Sequence, residues 1–342
     1  NQKFVDLFGE PRDPSWHFFT ERSGYPSYFE PKPQNYQEMA QRNQYYADVA
    51  ASIQVVTEEI VLTMVRELHR LTGLDRLWLN SVANGRIIRE TPIREVFVQP
   101  AAGDGGGALG AALWAQHMVL SQPRSFVMRH AYWGQEFDED SIREFVRGCG
   151  MPHRTYEDDD RLLDAVVEEL VAGHVVGWFQ GRFEWGPRAL GARSILADPR
   201  RADMKEIVNV KIKFREPFRP FAPSVLAEAA ERFFDLPDAP RHYPARFMLY
   251  VVPVKDGQAE VVPAITHVDG SARLQAVHRE ESPLYYRMIE RFGQATGVPV
   301  VMNTSFNLKG EPIVTSPANA FHTFSRSGMD ALVLGHTIIR KS

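Results

Sequence analysis

A short run in the middle of the chain constrains the fold more than any other. Val175-Val-Gly-Trp-Phe179 is apolar at consecutive positions, so the strand it forms must be covered on both faces. It opens without a spacer into Gln180-Gly-Arg-Phe-Glu-Trp-Gly-Pro-Arg188, where the Gly-Pro turn fixes the Arg188 guanidinium in place. Strand candidates recur at 246–254, 298–302, 331–334 and 337–340, and a helix over 162–170 stops near Gly173. Upstream, Val49, Ile53, Val56, Ile60, Met64, Leu68 and Leu71 recur at three- and four-residue steps, the pattern of an amphipathic helix ended by Gly73. A strand over 76–79, a turn into a helical stretch over 81–89, and a strand over 95–99 follow. The glycine-rich run 100–110 then leads into a small-residue helix over 111–120. A strand, a glycine turn and a helix in that order bring backbone close to a phosphate or a metal-bound ligand. Periodicity stops at Gln122 and Pro123, and a polar, aromatic connector runs to about Asp160. Separated strands and helices make the chain α/β or α+β in both halves, without internal repeats or low-complexity tracts.

Composition narrows the function. With 342 residues the chain has room for two or three domains. Its 39 Lys+Arg against 43 Asp+Glu give a net charge of −4, which disfavours bulk binding to nucleic acid or anionic membrane. The single cysteine, Cys149, excludes an internal disulfide, a thiolate zinc cage and a CxxC redox centre, and points to a reducing compartment. No apolar run approaches the roughly 18–20 residues of a membrane span. The first residues, 1–33, read as the middle of something longer.

Between Arg182 and Arg219 the chain packs Arg182, Arg188, Arg193, Arg200, Arg201, Lys205, Lys211, Lys213, Arg215 and Arg219 among glycines, prolines and aromatics. An extended Lys213-Phe-Arg215 would put two cations on one face, suited to a polyphosphate; the alternative is a solvated basic face. Asn303-Thr-Ser-Phe-Asn307 follows a strand, so its hydroxyls and amides either meet a ligand at the strand end or close a local turn. His267, in the polar loop Thr266-His-Val-Asp-Gly-Ser-Ala-Arg273, reads as structural. No two histidines stand four apart, so there is no HExxH, and Asp104 in the glycine turn is the best single metal-ligand candidate, with a helix cap as the alternative. The nucleophile-elbow and P-loop motifs are absent.

The runs 177–198 and 210–224, with Gly-Pro-Arg188 and Lys213-Phe-Arg215 inside them, closely resemble the O-carbamoyltransferases of natural-product and nodulation-factor biosynthesis. The likeness continues through Thr266-His-Val-Asp-Gly-Ser-Ala-Arg273, Asn303-Thr-Ser-Phe-Asn307, Val82-Ala-Asn-Gly85 and Gln99-Pro-Ala-Ala-Gly-Asp104. It implies an actin-like ATPase (Kae1-like) portion over 1–122 for carbamoyl transfer, a connector and start of the second domain over 123–160, and a YrdC-like domain with a twisted mixed sheet over 161–342. The latter would form carbamoyl-adenylate from carbamoyl phosphate and ATP, and the former would move the carbamoyl group to a hydroxyl of a small molecule in the cytoplasm.

The resemblance implies that Arg188, Lys213, Arg219 and Arg273 are catalytic, with Arg188, Arg219 and Arg273 on carbamoyl phosphate. ATP would fall to Lys213, Arg215, Ser305, Asn307, Asn303, Asn80 and Asn84. ATP, Mg2+, and Fe2+ or another divalent metal at Asp104 are the expected cofactors, and neither nucleic acid nor membrane is expected as a partner. Two departures stand out. The family's metal-binding His-x-x-x-His is missing, and where the family has a glycine turn, Arg76-Leu-Trp78 runs directly into Leu79-Asn80-Ser81, which is read as an interruption of the sequence rather than a deletion. A tRNA threonylcarbamoyl-type enzyme and an inactive ATP-binding fragment are the alternatives; a hydrogenase-maturation carbamoyltransferase is disfavoured by the missing zinc-finger cysteines.

Overall fold

The computed structural model describes residues 2–13, 16–26, 31–78, 83–216 and 219–341, with the side chains of Trp78 and Asp104 left out. The junction at 79–82, including Asn80, lies outside the described residues. The chain begins with α1 (Gln2–Phe8) and the long α2 (Tyr36–Thr72), followed by β1 (Arg76–Trp78), α3 (Asn84–Glu90), β2 (Glu95–Phe97) and α4 (Asp104–Trp114). Gly73, at φ 69°, stops α2 by donating its N–H to His69 O, as its position in the sequence predicts. β1 and β2 pair in parallel. The glycine-rich run turns helical earlier than expected, from Asp104.

The expected burial of the 49–71 stripe is not what the fold does. Ile53, Val56, Ile60, Met64, Leu68 and Leu71 are exposed, whereas Leu62 and Val65 are buried. The reason is tertiary. α2 is drawn onto α3 along its other side, where Arg86 pairs with Glu58, Glu59 and Glu90, so the face that packs is set by the neighbour rather than by the densest apolar stripe.

The rest of the chain builds a mixed α/β unit. Its elements are α5 (Glu139–Gly148), β3 (His153–Thr155), α6 (Asp159–Val171), β4 (Val176–Phe179), β5 (Arg193–Ala197), α7 (Met204–Val208), β6 (Ala222–Leu226), α8 (Ala230–Phe233), β7 (Tyr250–Pro253), β8 (Ser271–Val277), α9 (Pro283–Thr296), β9 (Val300–Ser305), α10 (Pro317–Arg326), β10 (Ala331–Leu334) and β11 (Thr337–Arg340). Nine strands form one sheet in the order β3-β11-β10-β4-β5-β9-β6-β8-β7. Only β10/β4 and β6/β8 are parallel within it, so the sheet is mixed. α6 and α9 cover one face through Leu162, Leu163, Val166, Leu170, Met288, Ile289 and Phe292. The opposite face packs Val208, Ile212, Val225, Phe306, Phe324 and Leu332 into a core that continues to Leu62, Ile87 and Val96. The continuous apolar run that forms β4 is buried at every position, as its sequence demands.

α3 seals the outer edge of this sheet. Asn84 Nδ2 donates to Leu249 O at 3.1 Å, and Gly85 lies so close to the Val251 carbonyl that a Cβ there would overlap it. The expected strand over 246–254 starts only at Tyr250, because 243–247 form a 3-10 turn. The connector is more structured than its composition suggests: it holds α5, begun by the Asp138 carboxylate accepting from Ser141 N–H, and the edge strand β3. Among the described residues, no helix is long and apolar enough to cross a membrane.

Candidate active site: unpaired cations at the strand ends

The loop from β4 to β5 is held from beneath. Glu184 is 2% exposed, and its Oε1 accepts the backbone N–H groups of Leu190 (2.8 Å), Ala192 (2.7 Å) and Arg193 (3.1 Å). Burial pushes the Glu184 carboxyl pKa up, against the pull of those N–H donors. Leu190 O accepts from Tyr132 Oη at 2.9 Å and Gln275 Nε2 at 2.7 Å, and Gly191 O from the Trp178 indole at 2.8 Å. Gly191, at φ 110°, lies against the Tyr285 ring where no Cβ fits, and Gly186, at φ 122°, lies against Pro100 O. The loop that carries Arg188 is thereby tied to the connector, to β8 and to the glycine turn before α4.

Asn303 and Ser305 lie within β9 rather than beyond it, which corrects the sequence expectation. β9 runs on to Ser305 because it pairs with both β5 and β6. Asn303, 1% exposed, therefore points into the interior, with its amide nitrogen within hydrogen-bond distance of Ala189 O, Ser224 Oγ and Gln275 Oε1. It supports the Arg188 loop from below.

Lys213-Phe-Arg215 is not extended either. Lys213 ends a π-helical turn, Asn209–Lys213, and Phe214 is left-handed at φ 42°, so the two cations leave the backbone in different settings. Lys213 is 5% exposed. Its Nζ reaches Ser305 O (2.6 Å), Asn307 O (3.0 Å), Asn307 Oδ1 (2.8 Å) and Ser305 Oγ (3.3 Å). The two paired motifs expected to bind ATP do meet, through direct contact of Lys213 with Ser305 and Asn307. Burial, with Arg215 nearby, lowers the Lys213 pKa to about 7. Arg215 lies over the Phe221 ring at 4.4 Å and donates to Asn209 Oδ1 and Pro220 O.

The cation-rich stretch sorts into two groups. Arg182 pairs with Glu136, Arg200 with Asp198, Arg201 with Asp203, Lys211 with Asp330 and Arg219 with Glu216. Arg193 is buried, bonded to the carbonyls of Gln180, Ala192, Gln135 and Gly181, with its guanidinium over the Phe179 ring. Arg188 and Arg273 differ. Both are partly buried, neither forms a salt bridge among the described residues, and the Nε of each has no hydrogen-bond partner. Burial lowers the pKa of Arg188; burial, then Arg188 and Arg215, lower that of Arg273 to about 10. Lys205 belongs here too: it has no salt bridge among the described residues, and burial and Arg215 lower its pKa. His267 completes the group, with Nδ1 3.0 Å from Ser271 Oγ and a pKa brought to about 4 by burial, with Arg273 and Lys205 adding to the shift.

Sequence reasoning named Arg188 and Arg273, counted Lys205 only among the stretch, and set His267 aside. It missed Glu184, Ser224 and Gln275. A lone glutamate inside a glycine-proline loop was the available signal for Glu184. Arg219 is exposed and paired with Glu216. Asn84 holds the sheet edge. Asp104 opens α4, with its side chain not described, and among the described residues no three His, Cys, Asp or Glu side chains gather as a metal site. A cleft of about 660 Å³ opens beside the loop between His130, Trp133, Trp178, Gly191 and Tyr285; neither Arg188 nor Arg273 lines it, so it is a feature separate from the cation group.

Known proteins place the chain. The carbamoyltransferase N-terminus model matches residues 24–113, and the carbamoyltransferase C-terminus model matches 167–341. An uncharacterized protein of Synechocystis sp. is 41% identical over all of this chain and 56% of its own length. Nodulation protein NolNO of Sinorhizobium fredii is 44% identical over 87% of this chain and 44% of its own. A 3'-hydroxymethylcephem-O-carbamoyltransferase of Amycolatopsis lactamdurans is 35% identical over 71% and 43%. The chain spans about half the length of these curated relatives. A solved structure of full-length HypF in its phosphate- and nucleotide-bound form covers 52% of this chain and 25% of its own at 16% identity and a TM-score of 0.38, too weak a likeness to bear on the fold. The two family models, falling on either side of the connector and the second taking in Arg188, Lys213, Arg273 and Ser305, establish that the chain belongs to the carbamoyltransferase family.

Proposed function

We propose that the chain works as an ATP-dependent O-carbamoyltransferase in the cytoplasm. Carbamoyl-adenylate forms on the nine-stranded unit, read as the YrdC-like domain over 161–342 with 123–160 as its connector, and the carbamoyl group passes to a hydroxyl of a small molecule on an actin-like portion over 1–122. Making the adenylate consumes water: carbamoyl phosphate is hydrolysed to carbamate and phosphate, and the carbamate oxygen then attacks the α-phosphorus of ATP and expels pyrophosphate, so the site must hold several phosphoryl groups.

The observation that carries this reading is the Arg188/Arg273 pair. Two guanidinium groups held near one another, partly out of water and without carboxylates, raise each other's energy. An oligoanion between them removes that cost, and cations fixed in advance favour charge that develops during phosphoryl chemistry. In this reading Arg188 and Arg273 take carbamoyl phosphate, Arg219 stays paired with Glu216 at the surface, and Lys213, Arg215, Ser305 and Asn307 border ATP. Mg2+ would accompany the nucleotide, and a divalent metal would use Asp104. The test is pyrophosphate release from the purified chain. Release that requires both ATP and carbamoyl phosphate is expected. Nucleotide binding without release under any condition would reduce the chain to a binding fragment.

A further inference from the structure

We infer that Glu184 is a positioning residue for Arg188, setting the guanidinium against the anion through the backbone of its loop. This rests on the phosphoryl-binding reading above.

The loop's geometry needs an acceptor where Glu184 stands. Between Glu184 and Arg193 the chain reverses with Gly186 and Gly191 at positive φ, so the N–H groups of Leu190, Ala192 and Arg193 converge inward instead of joining a ladder. One carboxylate oxygen receives all three. Buried N–H groups left without an acceptor are costly, so without Glu184 the loop must open to water or rearrange. Arg188 lies four residues beyond Glu184 and two before the first donor, inside the segment those bonds close. Its own side chain forms no salt bridge among the described residues, so its position comes from the backbone. Asn303, Gln275 and Tyr132 hold the carbonyls of Ala189 and Leu190 from the other side, Ser194 Oγ accepts the Gly191 N–H, and Glu184 takes the amides of Leu190, Ala192 and Arg193.

The chemistry asks for an acceptor more than for a charge. Glu184→Gln keeps Oε1 and with it the three bonds; Glu184→Ala removes them. The experiment measures binding of inorganic phosphate, the anionic end of carbamoyl phosphate, to the full chain by calorimetry, in wild type, Glu184→Ala, Glu184→Gln, Arg188→Ala and the Glu184→Ala/Arg188→Ala double variant, with thermal unfolding followed for each. Glu184→Ala should weaken binding about tenfold or more, Glu184→Gln should recover most of it, and the double variant should bind no worse than Arg188→Ala alone, since a residue acting through Arg188 has nothing left to act on. Additive losses, or a Gln variant as weak as the Ala variant while still folded, would overturn the assignment. If Glu184→Ala does not fold, Glu184→Asp, with a shorter reach, takes its place in the cycle under the same criteria. Wild type failing to bind phosphate would instead overturn the phosphoryl-binding reading itself.

Discussion

Two basic stretches lie close together in this chain and do different things. In residues 200–219 most cations have an answering carboxylate: Asp198 for Arg200, Asp203 for Arg201, Asp330 for Lys211 and Glu216 for Arg219. In the loop from Glu184 to Arg193 the carboxylate faces backbone amides, and Arg188 has no counter-ion among the described residues. Density of positive charge thus says little about anion binding; what separates the stretches is where the nearby acceptors are directed.

The comparison is broken most directly at Arg188 and Arg201. Arg188→Ala should lower pyrophosphate release by about 10²–10³, the usual loss when one fixed donor to a developing charge is removed. Arg201→Ala removes an exposed pair with Asp203 and should change the rate by less than about fivefold, within what surface pairs contribute. Equal losses would return the whole stretch to a solvated basic face.

A pH series sharpens the comparison at Lys213, a buried cation of the paired stretch whose ammonium is bonded to neutral acceptors of Ser305 and Asn307. Its folded pKa, about 7, lies below the ordinary lysine value, so between about 7 and 10.5 the unfolded chain binds the extra proton. Stability from this group therefore rises with pH across that window, and the cost of holding the charged form is fully present below it. Unfolding of wild type and Lys213→Met from pH 6 to 10 should show the rise in the first and a flatter profile in the second; parallel profiles would count against the shift.

The smallest effect is expected at Arg219. The resemblance assigns it to carbamoyl phosphate, while the fold leaves it exposed beside Glu216. Arg219→Ala should shift stability by less than about 1 kcal/mol and leave the KM for carbamoyl phosphate within about fivefold. A loss as large as that of Arg188→Ala would bring Arg219 into the anion site.

Helices repeat the same lesson in apolar form. α9 buries Tyr285, Tyr286, Met288, Ile289 and Phe292, whereas α2, with an equally regular stripe, turns Ile60, Met64 and Leu71 outward and buries Leu62 and Val65. Period reveals that a face is apolar, and a neighbour decides whether it is covered.

By itself the sequence determined what local chemistry can impose: the stop of α2 at Gly73, the fully buried β4, the strand pair at the C-terminus, the α/β class, and the motifs that carry the family resemblance. Through the resemblance it also named Arg188 and Arg273 for carbamoyl phosphate and the Lys213/Arg215 and Ser305/Asn307 pairs for ATP, while the direct contact of Lys213 with Ser305 and Asn307 came from the fold. Only the tertiary structure decided which cations lack partners, that Asn303 lies inside the sheet, and that Glu184 closes the Arg188 loop. Those outcomes depend on groups distant in the chain, such as Gln275 Nε2 on Leu190 O and Asp330 beside Lys211. A residue's own neighbours in sequence fix its backbone preference, but its hydrogen-bond and charge partners are chosen when strands far apart are brought into register.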